Sequence, residues 1–156
     1  MTGIDTNILV RYFVDDDVNQ AAIARHFLES LSPEHPGYVS TVALLELWWV
    51  LRRSYEMEKA GLVRTIRKLL AASNLRIEHR EEVADAVARF VLGSANLQDY
   101  LIERRCAGAG CASTMTFDLA AAKSAGMTLV GQNPIDSPAP ASVSAPRIAK
   151  ITAAMP

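Results

Sequence analysis

The 156-residue sequence has only two cysteines and three histidines, and it lacks a large excess of charge of either sign. Its 16 basic and 17 acidic residues give a formal net charge of −1, so the surface as a whole offers no strong positive field to nucleic acid. Two cysteines are too few for a disulfide framework and fit a reducing compartment. Cys106 and Cys111 also lack the spacing of a zinc ribbon.

Long apolar runs are absent as well. The longest, Val42 to Leu51, is too short to span a bilayer and contains Glu46. No basic segment followed by an apolar run opens the sequence, so we expect no secretory signal. Half of the residues are hydrophobic, as is ordinary for a globular protein of one domain. We therefore expect a cytoplasmic protein that makes no use of a membrane.

Short apolar segments alternate with longer amphipathic ones along the chain. The short segments predict strands near residues 1–4, 38–40, 75–78, 113–117 and 127–130. The segments between them predict helices, and the second helix carries apolar residues at helical spacing: Val18, Ala22, Ile23, Phe27 and Leu31. Strands separated by helices predict an α/β fold, with a central parallel sheet of about four or five short strands and helices on both faces. We place this domain at residues 1–133, followed by an extended Pro/Ala/Ser-rich arm at 134–156.

Two acidic residues directly follow predicted strands. Asp5 comes after the first strand, and Asp118 comes after the strand that contains Thr114 to Phe117. In open parallel sheets, ligands bind at the carboxyl ends of the strands, which favours a functional role for both acids. Helix capping is the alternative explanation for each, because Asp is a preferred cap residue.

Glu46 stands alone in an otherwise apolar helix, which predicts that it is buried or lies at a cleft. A buried carboxylate must be protonated, paired or bound to metal. A structural salt bridge to Arg11 or Arg52 is the alternative. Asp99, in the first turn of a later helix, is also explained by its favourable interaction with the helix dipole.

The four acids together are more informative than each one alone. Carboxylates that converge on one cleft repel each other, so they need a cation or a proton. Oxygen ligands select hard ions such as Mg²⁺ or Mn²⁺, which retain water and accept phosphate oxygens. Such a site activates water and stabilises charge during displacement at phosphorus.

These residues resemble a known family. The segments Gly3-Ile-Asp5-Thr6-Asn7, Leu45-Glu46-Leu47, Asp99-Tyr-Leu-Ile and Thr116-Phe-Asp118 are similar to those of PIN-domain nucleases, and most similar to the VapC-type toxins of bacterial toxin–antitoxin pairs. The resemblance covers roughly residues 1–130. After Asp118 the sequence departs from the family, since Leu119-Ala-Ala-Ala stands where many members have a further acid and an aromatic residue.

The resemblance implies a metal-dependent endoribonuclease that uses Mg²⁺, with Mn²⁺ as a substitute. It implies that Asp5, Glu46, Asp99 and Asp118 are the catalytic and metal-binding acids. Thr6, Asn7 and Thr116 are implied as supporting groups, and Arg11, one helical turn after Asn7, is a candidate phosphate contact. The implied partners are an RNA substrate, a cognate antitoxin that blocks the site, and a second copy of the chain in a homodimer.

Two other functions remain open. In an aspartate-nucleophile phosphatase Asp5 would attack phosphate, but the second acid of that motif is replaced by Asn7. A non-catalytic module that binds Mg²⁺ or a partner also fits. Arginine pairs such as Arg52-Arg53 could contact RNA phosphates, although solvated helix faces explain most of them. Trp48 and Trp49 are adjacent and must point in different directions, so we expect one in the core and the other at a dimer or antitoxin surface.

Overall fold

The computed structural model describes residues 1–131, which form an α/β fold with short parallel strands flanked by helices. The predicted fold class is thereby confirmed. The predicted arm at 134–156 and its boundary at residue 133 lie outside the described residues. No helix within residues 1–131 is both long and apolar enough to cross a membrane. Cys106 and Cys111 are free thiols.

The described part of the chain has five strands and six α-helices. The strands are β1 (Thr2–Gly3), β2 (Gly37–Val39), β3 (Leu75–Ile77), β4 (Met115–Thr116) and β5 (Thr128–Leu129). The helices are α1 (Thr6–Phe13), α2 (Val18–Glu29), α3 (Thr41–Arg53), α4 (Lys59–Ala71), α5 (Arg80–Leu92) and α6 (Leu97–Gly108). A short π-helix, Ala121–Ala125, lies where the sequence predicts a helix before the last strand.

The strands are all parallel but lie in two sheets instead of one. Strands β1, β2 and β3 form a sheet in that order, and β4 pairs with β5. In the first sheet Gly3 is opposite Tyr38, and Tyr38 is opposite Arg76. Within the described residues no ladder joins β1 to β4, and both of these strands are only two residues long. Strands this short can form few ladder hydrogen bonds.

The core lies between the three-stranded sheet and the helices, and Trp48 and Tyr100 are its largest fully buried side chains. Trp48 packs edge-on against Phe90, with ring centroids 4.9 Å apart. This contact joins α3 to α5. The expectation that one of the two adjacent tryptophans is a core residue is therefore confirmed.

Helix α2 buries a different face from the one its larger apolar residues predict. Val18 and Ile23 are 78% and 68% exposed, whereas the buried residues of this helix are Ala21, Ala24 and Leu28. Helix α2 packs against α1. The small side chains of Ala21 and Ala24 permit a close approach between helices, and Val18 and Ile23 remain in solvent. The predicted apolar stripe is therefore wrong for these two residues, whereas Phe27 and Leu31 are partly buried against the core.

Candidate metal centre

Asp5 lies where β1 ends and α1 begins. Its neighbour Ile4 donates its backbone N–H to Tyr38 O at 2.9 Å, which extends the pairing of β1 with β2. Asp5 then has the extended conformation of an N-cap, and its Oδ2 accepts a hydrogen bond from Asn7 N at 3.2 Å. The carboxylate is exposed at the carboxyl end of the strand. Asp5 therefore caps a helix and also occupies the position predicted for a ligand-binding acid.

Thr6 connects this strand end to Glu46. Its side chain is buried, with 4% exposure, and its Oγ1 donates a hydrogen bond to Glu46 Oε2 at 2.6 Å. The same hydroxyl oxygen lies 3.4 Å from Ala43 O. Because α1 packs against α3, two segments 40 residues apart in sequence meet here. The hydroxyl holds one oxygen of Glu46 in place.

Glu46 is exposed, so burial, one of the two positions predicted for it beside a cleft, is wrong. Helix α3 directs one apolar stripe at the core and leaves Val42 and Trp49 on its solvent side, with 75% and 55% exposure. A nearly all-apolar sequence therefore still lies at the surface in this helix. The salt bridge considered for Glu46 is absent from the described residues. Arg52 instead donates to Asn96 Oδ1 at 2.5 Å.

Asp99 lies in the first turn of α6 and completes its capping box. Its Oδ2 accepts a hydrogen bond from the backbone N–H of Asn96 at 2.8 Å, and the residue is half-buried. A reciprocal arrangement of this kind satisfies amide groups that a helix start leaves unpaired. Asp99 therefore does stabilise the start of α6, as its structural explanation requires. This contact uses one of its two carboxylate oxygens.

Asp118 follows β4 and starts the turn that leads into the π-helix. Its Oδ1 accepts from Ala120 N at 2.7 Å and from Ala121 N at 3.2 Å. Thr116 Oγ1 accepts a hydrogen bond from the backbone N–H of Asp118 at 2.9 Å. Through this contact Thr116 supports Asp118 by positioning its backbone. Asp118 is exposed, between the exposed apolar side chains Phe117 and Leu119.

The four predicted acids have one property in common. Each carboxylate accepts hydrogen bonds through one oxygen only, and within residues 1–131 none forms an ion pair. Contacts with near neighbours orient Asp5, Asp99 and Asp118, and the tertiary contact with Thr6 orients Glu46. In all four, the second oxygen has no hydrogen bond within residues 1–131. Such oxygens are the hard donors that Mg²⁺ prefers.

The structure does not gather these acids into a closed cage. Among the described residues, no three Asp, Glu, His or Cys side chains are grouped so as to hold a metal ion. Mg²⁺ does not require such a cage, since it commonly retains several waters and binds through one or two carboxylates together with substrate phosphate. The donor chemistry therefore fits Mg²⁺, and the assignment of all four acids as its ligands stays a prediction.

The remaining supporting residues differ in their contacts. Asn7 gives its backbone N–H to Asp5, while its exposed side chain has no hydrogen bond within the described range. Arg11 is held by Asp16 and by Gln20, whose Oε1 lies 2.8 Å from Arg11 Nε. The hydrogen bond that Arg11 donates to the Asp16 carboxylate is the main cause that raises the pKa of Arg11. Arg11 therefore has a structural partner in this fold, and its predicted contact with phosphate stays a prediction.

Glu78 is an acid at the same edge of the sheet that we did not predict as a site residue. It follows β3 directly, and its Oε2 accepts a hydrogen bond from the backbone N–H of Thr41 at 2.7 Å. This hydrogen bond is the main cause that lowers the pKa of the Glu78 carboxyl. The rule that singled out Asp5, an acid directly after a strand, missed Glu78 because the predicted strand at 75–78 included it, whereas β3 ends at Ile77. The contact of Glu78 supports the start of α3.

Comparison with known proteins agrees with this arrangement. A search of curated proteins found no match. The sequence model of the PIN domain family, in contrast, matches residues 4–130, which include β2 to β5 and all four predicted acids. The chain therefore belongs to the PIN domain family, whose members are generally Mg²⁺-dependent nucleases that hydrolyse phosphodiester bonds.

Proposed function

We propose that this protein is a Mg²⁺-dependent endoribonuclease that acts as the toxin of a toxin–antitoxin pair. The observation that carries the proposal is the state of Asp5, Glu46, Asp99 and Asp118. Among the described residues, each has one oxygen fixed by a hydrogen bond and one oxygen without a hydrogen bond, and no cationic side chain neutralises any of them. Carboxylates left in this state are suited to bind a divalent cation, with Mn²⁺ as a substitute for Mg²⁺.

The side chains of this protein have distinct roles in the proposed reaction. Asp5, Glu46, Asp99 and Asp118 hold the metal, Thr6 fixes the orientation of Glu46, and Thr116 positions Asp118. When bound, the metal supplies an activated water and stabilises negative charge at the phosphorus centre. Attack by water predicts products with a 5′-phosphate and a 3′-hydroxyl. A 2′,3′-cyclic phosphate would contradict this route.

The proposal includes a cognate antitoxin, a homodimer and a cytoplasmic location. Phe117 and Leu119, which flank Asp118, are 84% and 59% exposed. A partner protein that buries these two apolar side chains would also cover the acid between them, and burial of exposed apolar surface favours association. Inhibition of the nuclease by a protein bound at this place is therefore supported by the exposure pattern.

Cleavage of total cellular RNA tests the proposal. The purified full chain is incubated with Mg²⁺, with Mn²⁺ and with excess EDTA, beside Asp5→Asn and Asp99→Asn variants. Asp15→Asn is the matched control, because Asp15 is also an exposed acid but pairs with Arg25 at 3.2 Å. We expect discrete fragments that require metal, disappear in the two site variants and persist in the control.

Other results would support the competing functions. Cleavage by Asp5→Asn at the wild-type rate would contradict the proposed site. A phospho-aspartate trapped at Asp5 would establish a phosphatase. Failure of antitoxin-free protein to cut total RNA, tRNA and ribosomal RNA would favour a non-catalytic binding module.

A further inference from the structure

The solvent face of α3 carries an ordered row of three chemically different side chains. Glu46, Trp49 and Arg53 follow one another at helical spacing and all are exposed. At 3.6 residues per turn they lie within a sector of about 60°, and Trp49 and Arg53 are separated by about 6 Å along the axis. The row therefore presents a carboxylate, an indole ring and a guanidinium group in succession on one side of the helix.

No contact in the described part of the protein explains why a tryptophan stands at position 49. Its neighbour Trp48 is fully buried against Phe90, whereas Trp49 is 55% exposed. No ring contact or cation–π contact involves Trp49 within residues 1–131. Arg53 likewise forms no ion pair in that range. An exposed indole and an exposed cation that have no partner among the described residues are available to a ligand.

The composition of the row favours nucleic acid over a protein partner. Trp and Arg are frequent in protein–protein interfaces as well, but acidic residues are depleted there. Here the proposed metal-binding acid Glu46 lies about one helical turn from Trp49 on the same side of α3, which places the ring beside the site that would cut RNA. Proteins that bind single strands combine cationic groups for phosphates with aromatic rings on which bases stack. With a net charge of −1, the protein as a whole has little long-range electrostatic attraction for RNA. Base stacking therefore supplies a larger share of the binding free energy.

We propose that Trp49 is a base-stacking residue for single-stranded RNA and that Arg53 contacts a neighbouring phosphate. The strand would run along α3 toward the metal-binding acid Glu46. This inference rests on the proposed ribonuclease function, and it names the strand state of the substrate and two residues that select it. A duplex cannot offer an unstacked base to Trp49, so single strands are preferred.

Binding measurements test the inference without relying on cleavage. The parent protein is Asp5→Asn in Mg²⁺, and the probes are a 12-nucleotide unstructured RNA and the matched duplex. Trp48 is buried, so quenching of tryptophan fluorescence by the single strand reports on Trp49. We expect Trp49→Ala to weaken single-strand binding by about 5- to 150-fold, the range of base–aromatic stacking, and Trp49→Tyr to retain most of the affinity.

Two further variants complete the design. Arg53→Ala should reduce the slope of log affinity against log salt by about one unit, as expected for one phosphate contact. Leu92→Ala removes another exposed apolar side chain, with 91% exposure on α5, and should change nothing. Sedimentation of Trp49→Ala then reports whether the ring mediates contact between copies of the chain.

The outcomes separate the two proposals. If the wild-type protein cuts RNA but Trp49→Ala binds the single strand as tightly as its parent, the stacking role is wrong and the nuclease stands. Equal affinity for the single strand and the duplex, or dissociation of an oligomer as the sole effect of Trp49→Ala, would also overturn the stacking role. Absence of metal-dependent cleavage by the wild-type protein would overturn the proposed function itself.

Discussion

Thr6 Oγ1 donates a hydrogen bond of 2.6 Å to Glu46 Oε2, and this contact joins the segment after β1 to the middle of α3. The donor is buried and the acceptor is exposed. Groups that orient a metal-binding carboxylate in this way usually affect the site more strongly than they affect folding. The pair therefore offers a direct way to separate activity from stability.

Replacing Thr6 with Val keeps the shape of the side chain and removes the donor. We expect metal-dependent RNA cleavage to fall by about 10- to 100-fold, the usual effect of losing a residue that orients a metal ligand. The free energy of unfolding should fall by only about 1 kcal/mol, because Glu46 can be solvated once it loses its partner. Thr6→Ser retains the hydroxyl and should keep most of the activity. Equal activity of the Val and wild-type proteins would show that Glu46 needs no positioning.

Asp99 combines a structural contact with a predicted catalytic role, and two substitutions distinguish them. Asp99→Asn keeps an oxygen that can accept the hydrogen bond from Asn96 N but loses the negative charge. We expect it to abolish cleavage while the thermal midpoint changes little. Asp99→Ala loses the cap as well and should unfold with a free energy lower by about 1 kcal/mol. An active Asp99→Asn protein would assign Asp99 to helix capping alone.

Gly93 leaves room for Tyr100. A Cβ at position 93 would lie 1.8 Å from Tyr100 Oη, so Gly93→Ala forces the ring or the helix end to shift. We expect a loss of about 1–3 kcal/mol in the free energy of unfolding, which urea titration measures. Adding Tyr100→Phe should recover part of that loss, because it removes the atom in the closest contact. A double variant that is no more stable than Gly93→Ala would contradict this explanation.

Tyr100→Phe alone should be close to neutral or slightly stabilising. The hydroxyl oxygen of Tyr100 is buried and has no hydrogen-bond partner among the described residues. An unpaired buried polar group costs free energy, so its removal should not weaken the fold. The ring, which packs in the core, is kept. A loss of more than about 1 kcal/mol on urea unfolding would indicate a partner for the hydroxyl, such as an ordered water.

The contacts of Asp16 predict that the free energy of unfolding depends on pH in the acid range. Hydrogen bonds from Tyr55 and then Arg11 lower the pKa of the Asp16 carboxyl below its ordinary value of 3.8. Its contribution to the free energy of unfolding is therefore complete above that ordinary value and is lost as the pH falls through the lower folded pKa. Asp16→Asn should be less stable than wild type at neutral pH, and the difference should shrink in acid. Urea unfolding across this range, with Asp15→Asn as the control, measures it; a difference that is constant with pH would contradict it.

The local features of this fold were predictable from sequence because they depend on contacts between near neighbours. Asp5 and Ser40 begin α1 and α3 as cap residues whose side chains accept hydrogen bonds from backbone groups within three positions along the chain, and Asp99 bonds Asn96 N over the same distance at the start of α6. The five strands also lie close to their predicted places, because each is a short apolar run bounded by polar or turn residues. Three of the four candidate acids were found for the same reason, since Asp5 and Asp118 follow strands and Asp99 lies in a first turn.

Periodicity was less informative about which side of a helix is buried. In α2 the large apolar residues Val18 and Ile23 predicted the core face, but the helix packs through Ala21 and Ala24. In α3 apolar residues occur on every side, so the pattern could not show that Glu46 is exposed. The packing partner decides the face in both helices, and that partner is distant in sequence.

By itself, the sequence determined the order of strands and helices, the caps that begin several helices, and the four acids that fit a Mg²⁺-dependent nuclease. Tertiary structure alone decided that Glu46 lies in solvent beside Trp49, that Thr6 holds it, that Arg11 is occupied by Asp16, and that the five strands divide into two sheets. The physical reason is the distance along the chain over which each kind of contact acts. Caps and strand ends depend on hydrogen bonds and side chains within a few residues, whereas these contacts arise only when α1 packs on α3 and each short strand finds its neighbour.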